Sequence, residues 1–248
     1  MPIKEVVKSI PESSAQTGGK HQLVPTLSQS RRGRLPRGSS SLPRAVVELE
    51  QKKRIVLGAA RVIADKGYAE ASVAQIIAQA GVSRATFYAL FRDKEACFLY
   101  GFTKLSKAHL DEVEREINGT GPLPECLVNA ITAYLRRINI DQHLAHAFIT
   151  EAQTATPGLR QAYAQVQRRL QRVLQIWIDQ VRQENPQVPA PTGTEISLVM
   201  NGLNGHVIAQ VRAGESFSQA QIIAICRYIF AALGMVEWAR YTREHFNE

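Results

Sequence analysis

Residues 71–96 read "ASVAQIIAQAGVSRATFYALFRDKEA". Ser72 and Gln75 stand as S-x-x-Q, a capping box ahead of the apolar pair Ile76 and Ile77. Gly81 closes that short helix, and Ser83 can cap the next, from Arg84 to Phe91. Phe87 and Phe91 share one face of it, while Ser83, Arg84 and Thr86 crowd its first turn. Asp93 can cap a fourth helix, with Glu95 in the first turn, where the helix dipole favours an acid. Two short helices joined by a Gly-containing turn make a helix-turn-helix, whose second helix enters the DNA major groove with its N-terminal residues nearest the base edges. On that reading Arg84 pairs with guanine or a phosphate, and Ser83 and Thr86 suit phosphate or base contacts. The aromatic pair anchors the helix from behind. The Tyr88 hydroxyl reaches a phosphate, and Lys94 meets the DNA backbone. The same pattern without DNA describes a bundle corner whose polar residues are merely exposed.

Working outward, "VVELEQKKRIVLGAARVIADKGY" places Ile55, Ala59, Val62 and Ile63 at helical spacing, and Gly67 ends that helix. After Asp93 a long helix carries Cys97, Phe98, Gly101, Phe102, Leu105, Ala108 and Leu110, and residues 118–124 break it. Leu127, Ile131, Tyr134, Leu135 and Ile138 form one face of the next. Leu144 and Phe148 mark a shorter helix that ends at "TPG", residues 156–158. From Leu159 to Val181 apolar residues step by threes and fours. Residues 185–193 are a loop, Val199 to Val211 a further helix, and Ser218 caps a last one running from Gln219 towards Phe246. No segment alternates as a strand does. The fold class is all-α.

The chain carries a net charge of +8. Residues 1–45 hold eight basic and two acidic side chains, residues 46–95 eight and six, and residues 96–248 fourteen of each. The excess base thus lies wholly in the N-terminal part, which suits a polyanion such as nucleic acid, or equally a solvated tail. Residues 1–45 are rich in Ser, Gly, Pro and Arg without apolar period and read as a disordered basic leader. Cys97, Cys126 and Cys226 are odd in number and lack CxxC spacing, which speaks against a disulfide scaffold or zinc finger and suits a reducing cytosol. The most apolar stretch, residues 222–236, is interrupted by Arg227 and is short for a membrane span of roughly 20 residues. The expectation is a cytoplasmic protein with no membrane partner and no cofactor.

Residues 55–98 resemble the DNA-binding domain of the tetracycline-repressor (TetR) family of bacterial regulators. The matching elements run in order: an Ala-Ala helix ending in Gly-Tyr, then Ser-Val with Ile76, Ala-Gly-Val-Ser, Thr-Phe-Tyr with Phe91, and Lys94-Glu95. Residues 99–248 match only in being helical and of suitable length. The resemblance implies a phosphate contact at Ser72, contacts from Ser83, Arg84, Ala85, Thr86 and Tyr88, and Lys94 on the backbone. Ala85 stands where the family often has Gly, and Leu90 where His or another polar residue is common. It also implies that residues 46–95 bind DNA and that the C-terminal helices, residues 96–248, hold an effector pocket and a dimer interface.

For the interface, Ile222, Ile223, Ile225, Cys226, Ile229, Phe230 and Leu233 spread apolar side chains round much of the last helix, and Gly202 and Gly205 would admit a partner. Burial within a single subunit is the alternative. For the pocket, the inward candidates are Phe102, Leu105, Tyr134, Phe148, Trp177, Met200 and Leu203, with His109, Asn204 and His206 as polar points. Such residues equally make a plain core. A pocket of this composition fits a mostly apolar effector: a hydrophobic drug, a fatty acyl group or a steroid-like molecule. His143, His146 and Glu151 lack the H-E-x-x-H pattern, and the histidines read as exposed polar residues rather than metal ligands. No nucleophile elbow or Gly-rich phosphate loop suggests an enzyme. The expected function is a homodimeric, ligand-responsive repressor on a palindromic operator. A helical ligand-binding protein or enzyme is the alternative.

Overall fold

The computed structural model describes residues 43–245, and all the elements among them are helical. The basic leader, apart from its last residues, and Phe246 lie outside the described residues. We number the helices α1 Arg44–Glu70, α2 Val73–Ala80, α3 Arg84–Leu90, α4 Lys94–Ile117, α5 Leu123–Ile140, α6 Gln142–Ala145, α7 Pro157–Glu184, α8 Gly193–Ala213, α9 Gln219–Ala232 and α10 Val236–His245. Between α6 and α7 the chain makes a π-helical turn, His146–Glu151.

The starts of the helices follow sequence chemistry. Ser72, Thr192 and Ser218 each form a reciprocal capping box with the residue three positions on. Thr156 caps α7, whose first residue, Pro157, needs no N–H partner. α1 is broken at Gly67, where φ is 81°. α3 stops at Leu90, one residue earlier than expected, and the Phe91 N–H donates to the Phe87 carbonyl at 2.8 Å.

The C-terminal end differs more. One last helix was expected, and there are two. Gly234 turns left-handed with φ 78°. Its N–H donates to the Ala231 carbonyl at 3.1 Å and that of Met235 to the Phe230 carbonyl at 2.8 Å. These paired bonds terminate α9 in a Schellman motif. α10 then folds back, so that Trp238 meets Trp177 and Phe230 with ring centroids 6.0 and 5.7 Å away. This accounts for the wide apolar arc of α9. Ile222, Ile223, Cys226, Ile229, Phe230 and Leu233 are all buried within their own chain, and only Ile225 is half-buried. All the side chains expected at a dimer seam except Ile225 are therefore core.

Buried apolar residues form two clusters. One joins α5, α7, α8, α9 and α10 with the C-terminal half of α4. The other holds the helix-turn-helix, but it does not end at residue 95. Cys97, Phe98 and Phe102 of α4, Ala147 and Phe148 of the π turn, Ala152, and Leu159 of α7 belong to it as well. The approach is closest at Gly101, where an added Cβ would stand 2.5 Å from Val56 Cγ1 of α1 and 3.2 Å from Phe148 Cζ. The head that carries α3 is thus built partly from the domain behind it. The three cysteines are buried free thiols.

Candidate nucleic-acid interface and the cavity behind it

Gly81 ends α2 in the left-handed region, φ 62°, and its N–H reaches the Ala78 and Ile77 carbonyls. Arg54 of α1 donates to the carbonyls of Ala80 and Gly81, both at 2.8 Å, and so fastens the turn from below. Beyond it, Ser83 Oγ accepts the Thr86 N–H at 3.0 Å and lies 2.8 Å from Thr86 Oγ1. One of these hydroxyls donates to the other, so one hydroxyl hydrogen is left to face outward. Phe87 is completely buried and Phe91 nearly so, and both belong to the head's core. Ser83, Arg84, Ala85 and Tyr88 are exposed along the opposite edge, with the Arg84 guanidinium 5.7 Å from the Tyr88 ring. Among the described residues neither the Arg84 guanidinium nor the Tyr88 hydroxyl on this edge has a hydrogen-bond partner, while the other side of the helix is fixed.

Two expected contacts have structural duties. Ser72 is exposed, but its hydroxyl donates to Gln75 Oε1 at 3.0 Å and accepts the Gln75 N–H at 3.3 Å. Lys94 does not reach outward. Its Nζ donates to the carbonyls of Tyr68 and Ala71 at 2.6 and 2.7 Å and stands 4.3 Å from the centre of the Tyr68 ring. It caps the end of α1, whose last carbonyls have no intrahelical donors. Burial lowers its pKa, with the Glu70 charge opposing.

Behind the head, α4, α5, α6, the π turn and α7 enclose a cavity of about 120 Å³. Phe102, Leu105, His109, Tyr134 and Phe148 line it, as the sequence suggested. A second, almost wholly apolar cavity of about 50 Å³ lies deeper, against α8; Tyr134, Met200, Leu203 and Asn204 line that one. Tyr134 and Gln167 border both. Trp177 borders neither. It is buried against Phe230 and Trp238, and its indole N–H donates to the Leu123 carbonyl at 3.0 Å. His206 is exposed and lines neither cavity. Sequence reasoning missed Tyr163, Gln167 and Arg137. Tyr163 stood in an apolar stripe, and Gln167 was one of three consecutive polar residues between Val166 and Leu170, so nothing in the sequence singled it out.

His109 illustrates the interior. Its ring stacks on Tyr134, centroids 5.0 Å apart, and Nε2 lies 3.0 Å from the Tyr134 carbonyl. A carbonyl only accepts, so Nε2 carries a hydrogen. Desolvation takes its pKa down to about 4, against the pull of that hydrogen bond. Burial likewise raises the Tyr134 phenol.

The π turn ties cavity to head. Phe148 lines the cavity and stacks on Phe98 of the head's core, centroids 4.9 Å apart. Glu151 on the same turn accepts the Tyr68 N–H at 2.8 Å, beside the Gly67 break. Glu95 at the start of α4 accepts the hydroxyl hydrogen of Thr156 at 2.7 Å. On the outer side Arg169 of α7 grips Glu114 with two bonds of 2.7 Å and Asp111 with one of 2.8 Å. Glu151 is thus a clamp between helices, and His143 is exposed, 3.7 Å from Asp65. His146 is not the exposed residue expected: it is half-buried, and its Nδ1 is enclosed with no partner among the described residues. Among the described residues no three potential ligands gather for a metal ion, and no helix is long and apolar enough to cross a membrane.

Residues 55–100 match the model of the family described as bacterial regulatory proteins, tetR family. The fatty acid metabolism regulator protein of Bacillus subtilis (strain 168) is 29% identical over 108 residues, 44% of this chain and 56% of that protein. The chain thus spans little more than half the length of that curated relative. A second B. subtilis protein, the uncharacterized HTH-type transcriptional regulator YerO, is 30% identical over 76 residues, 29% of this chain and 26% of its own length. Among solved structures, the fatty acid degradation regulator FadR from Bacillus halodurans superposes with a TM-score of 0.63 at 20% identity, covering 74% of this chain and 94% of that one. The transcriptional regulator FadR from B. subtilis, in complex with stearoyl-CoA, gives 0.60 at 21% identity, covering 74% and 97%. At such identities these likenesses speak for the fold alone.

Proposed function

We propose that this chain, which belongs to the tetR family of bacterial regulatory proteins, is a cytoplasmic, homodimeric repressor released from its operator by a long-chain acyl effector. One observation carries the reading: the wall of the cavity is also the core of the reading head. Phe102 and Phe148 are buried in the cluster that holds Phe87 and Phe91, and both line the cavity. A cavity of about 120 Å³ is well below the roughly 300–1,000 Å³ of sites that enclose a drug-sized ligand. A long chain therefore binds best to a state in which α4 and α7 stand further apart. α4 begins at the head, so that state moves Arg84 and Tyr88, and the ligand shifts the population away from the DNA-bound arrangement.

The apolar lining fits an acyl chain, and Arg137, Ile140 and Asp141 complete the lining at one end. Ile140, 46% exposed, marks this end as the mouth, where the Arg137 guanidinium suits an anionic head group. The ligand bound by one structural neighbour, stearoyl-CoA, is of this class. For the dimer, the outward faces of α8 and α9 offer Leu198, 63% exposed, and Tyr228, 52% exposed. Gly202, Gly205, Ala209 and Ala224 lie exposed on the same helices and would let a second copy approach closely. Ile225 remains at the edge of this face.

The test is to recover the DNA that the protein retains and to titrate the complex with stearoyl-CoA and with free CoA, following fluorescence anisotropy at fixed salt. Release by the acyl compound and not by CoA supports the reading. Retention of DNA at saturating acyl compound removes the effector assignment, and failure to select any DNA removes the repressor.

A further inference from the structure

Side chains of α5, α7 and α8 stand between the two cavities: Tyr134 and Gln167 border both, Tyr163 the first and Asn204 the second. Tyr163 of α7 donates its hydroxyl hydrogen to Asn204 Oδ1 of α8 at 2.7 Å. Gln167, one turn on, donates to the same oxygen at 3.1 Å. The Tyr134 ring stands across the gap from α5 and borders both spaces, as Gln167 does. We propose that this Tyr134–Gln167–Asn204 partition sets the length of acyl chain the protein accepts. The inference rests on the acyl-effector reading above and names the residues that would decide its specificity.

A chain entering between Arg137 and Ile140 fills a space lined by Phe102, Leu105 and Phe148, with Tyr134 on its border with the second cavity. A short chain ends there and leaves the partition closed. A longer chain must turn the ring aside and part Gln167 from Asn204. Behind them lies a space walled by Val113, Leu127, Leu174, Val199, Met200 and Leu203, which offers nothing but apolar burial. Passing costs the ring its stacking on His109 and costs the amides their hydrogen bond. Among the described residues the Tyr134 hydroxyl makes no side-chain hydrogen bond, whereas the Gln167 bond must be broken. The gain beyond the partition grows with length, about fourfold in affinity for each methylene newly sheltered. Affinity should therefore climb while a chain fills the first cavity, level off where it meets Tyr134, and rise again for chains that reach past it. His109 acts as a positioning residue, because it holds Tyr134 both by its stacked ring and through the Tyr134 carbonyl.

The experiment is isothermal titration of the full-length protein with octanoyl-, lauroyl-, palmitoyl- and stearoyl-CoA, repeated for Tyr134→Ala, Gln167→Leu and Leu203→Phe. Each variant is first required to keep its helical circular dichroism and its DNA binding. Tyr134→Ala and Gln167→Leu open the partition, so the second rise in affinity should begin at a shorter chain, with palmitoyl- and stearoyl-CoA gaining about tenfold or more over octanoyl-CoA. Leu203→Phe fills the distal cavity, so the long chains should lose by a similar factor while octanoyl-CoA is unaffected. Leu203→Phe adds bulk to a half-buried position and tests the idea even where the opening variants do not fold. Length profiles that keep their shape in every folded variant would overturn the partition while leaving the effector reading in place. Wild-type protein that binds none of the four compounds would overturn the effector reading itself.

Discussion

Lys94→Met separates two roles for a residue that stands where the family places a contact to the DNA backbone. The substitution keeps the aliphatic stem near the Tyr68 ring and removes the ammonium. The carbonyls of Tyr68 and Ala71 then lose donors at 2.6 and 2.7 Å. A hydrogen bond from a charged donor is worth ~1.5–3 kcal/mol, but the site is only partly buried and water replaces part of the loss. Two such bonds, discounted for solvent, make ~1–2 kcal/mol. The urea midpoint should fall by roughly half a molar at fixed protein concentration, and amide exchange should quicken around residues 66–72. Operator affinity, measured where the variant is fully folded, should keep the wild-type dependence on salt, because no phosphate contact has been removed. An unchanged urea midpoint together with a salt slope shallower by about 0.9, the value of one phosphate, would refute the structural role and restore Lys94 to the DNA interface.

Four further outcomes follow from the same geometry. Arg84→Ala should weaken operator binding by ~1–3 kcal/mol and relax sequence preference at one position, whereas Tyr88→Phe should weaken all sequences alike in an anisotropy titration. Leu198→Glu with Tyr228→Glu should run as a monomer in sizing with light scattering and lose the operator while retaining its helical spectrum; Ile229→Glu should instead unfold the domain, because Ile229 is core. His109 has a folded pKa of about 4 against an ordinary 6.5, so between these values the unfolded chain binds a proton that the folded chain refuses. Stability should thus fall by ~3 kcal/mol as pH drops through that window and level off below it, and His109→Gln should flatten this limb in urea titrations at stepped pH. Deleting residues 1–42, with the four arginines of residues 30–37, should flatten the salt dependence of DNA binding and leave operator preference intact if that segment lies along the backbone or minor groove.

The reading head was legible because its chemistry is local. Capping boxes, a left-handed Gly81, and an aromatic pair one turn apart act within a few residues, and the structure has each of them where the spacing implied. The cavity was partly legible. Periodicity shows that Phe102, Leu105, Tyr134 and Phe148 face inward, but inward-facing is a property of one helix, and lining a void depends on what the neighbouring helix leaves unfilled. Trp177 has the same signature as Tyr134 and is solid core, since Phe230 and Trp238 fill the space before it.

What the sequence determined by itself was therefore the course of most helices up to α8, the caps at Ser72, Ser83, Asp93 and Ser218, and the polar edge of α3, all fixed by interactions between residues close along the chain. Tertiary structure alone decided the rest. The break at Gly234 depends on its left-handed φ, and the fold-back of α10 turned the apolar arc of α9 from a seam into core. Lys94 caps carbonyls 23 and 26 residues away, and Phe148 joins the cavity to the head across a π turn. Each of these rests on contacts between segments far apart in sequence, where a side chain's partner is set by packing in three dimensions and not by its place in a repeat.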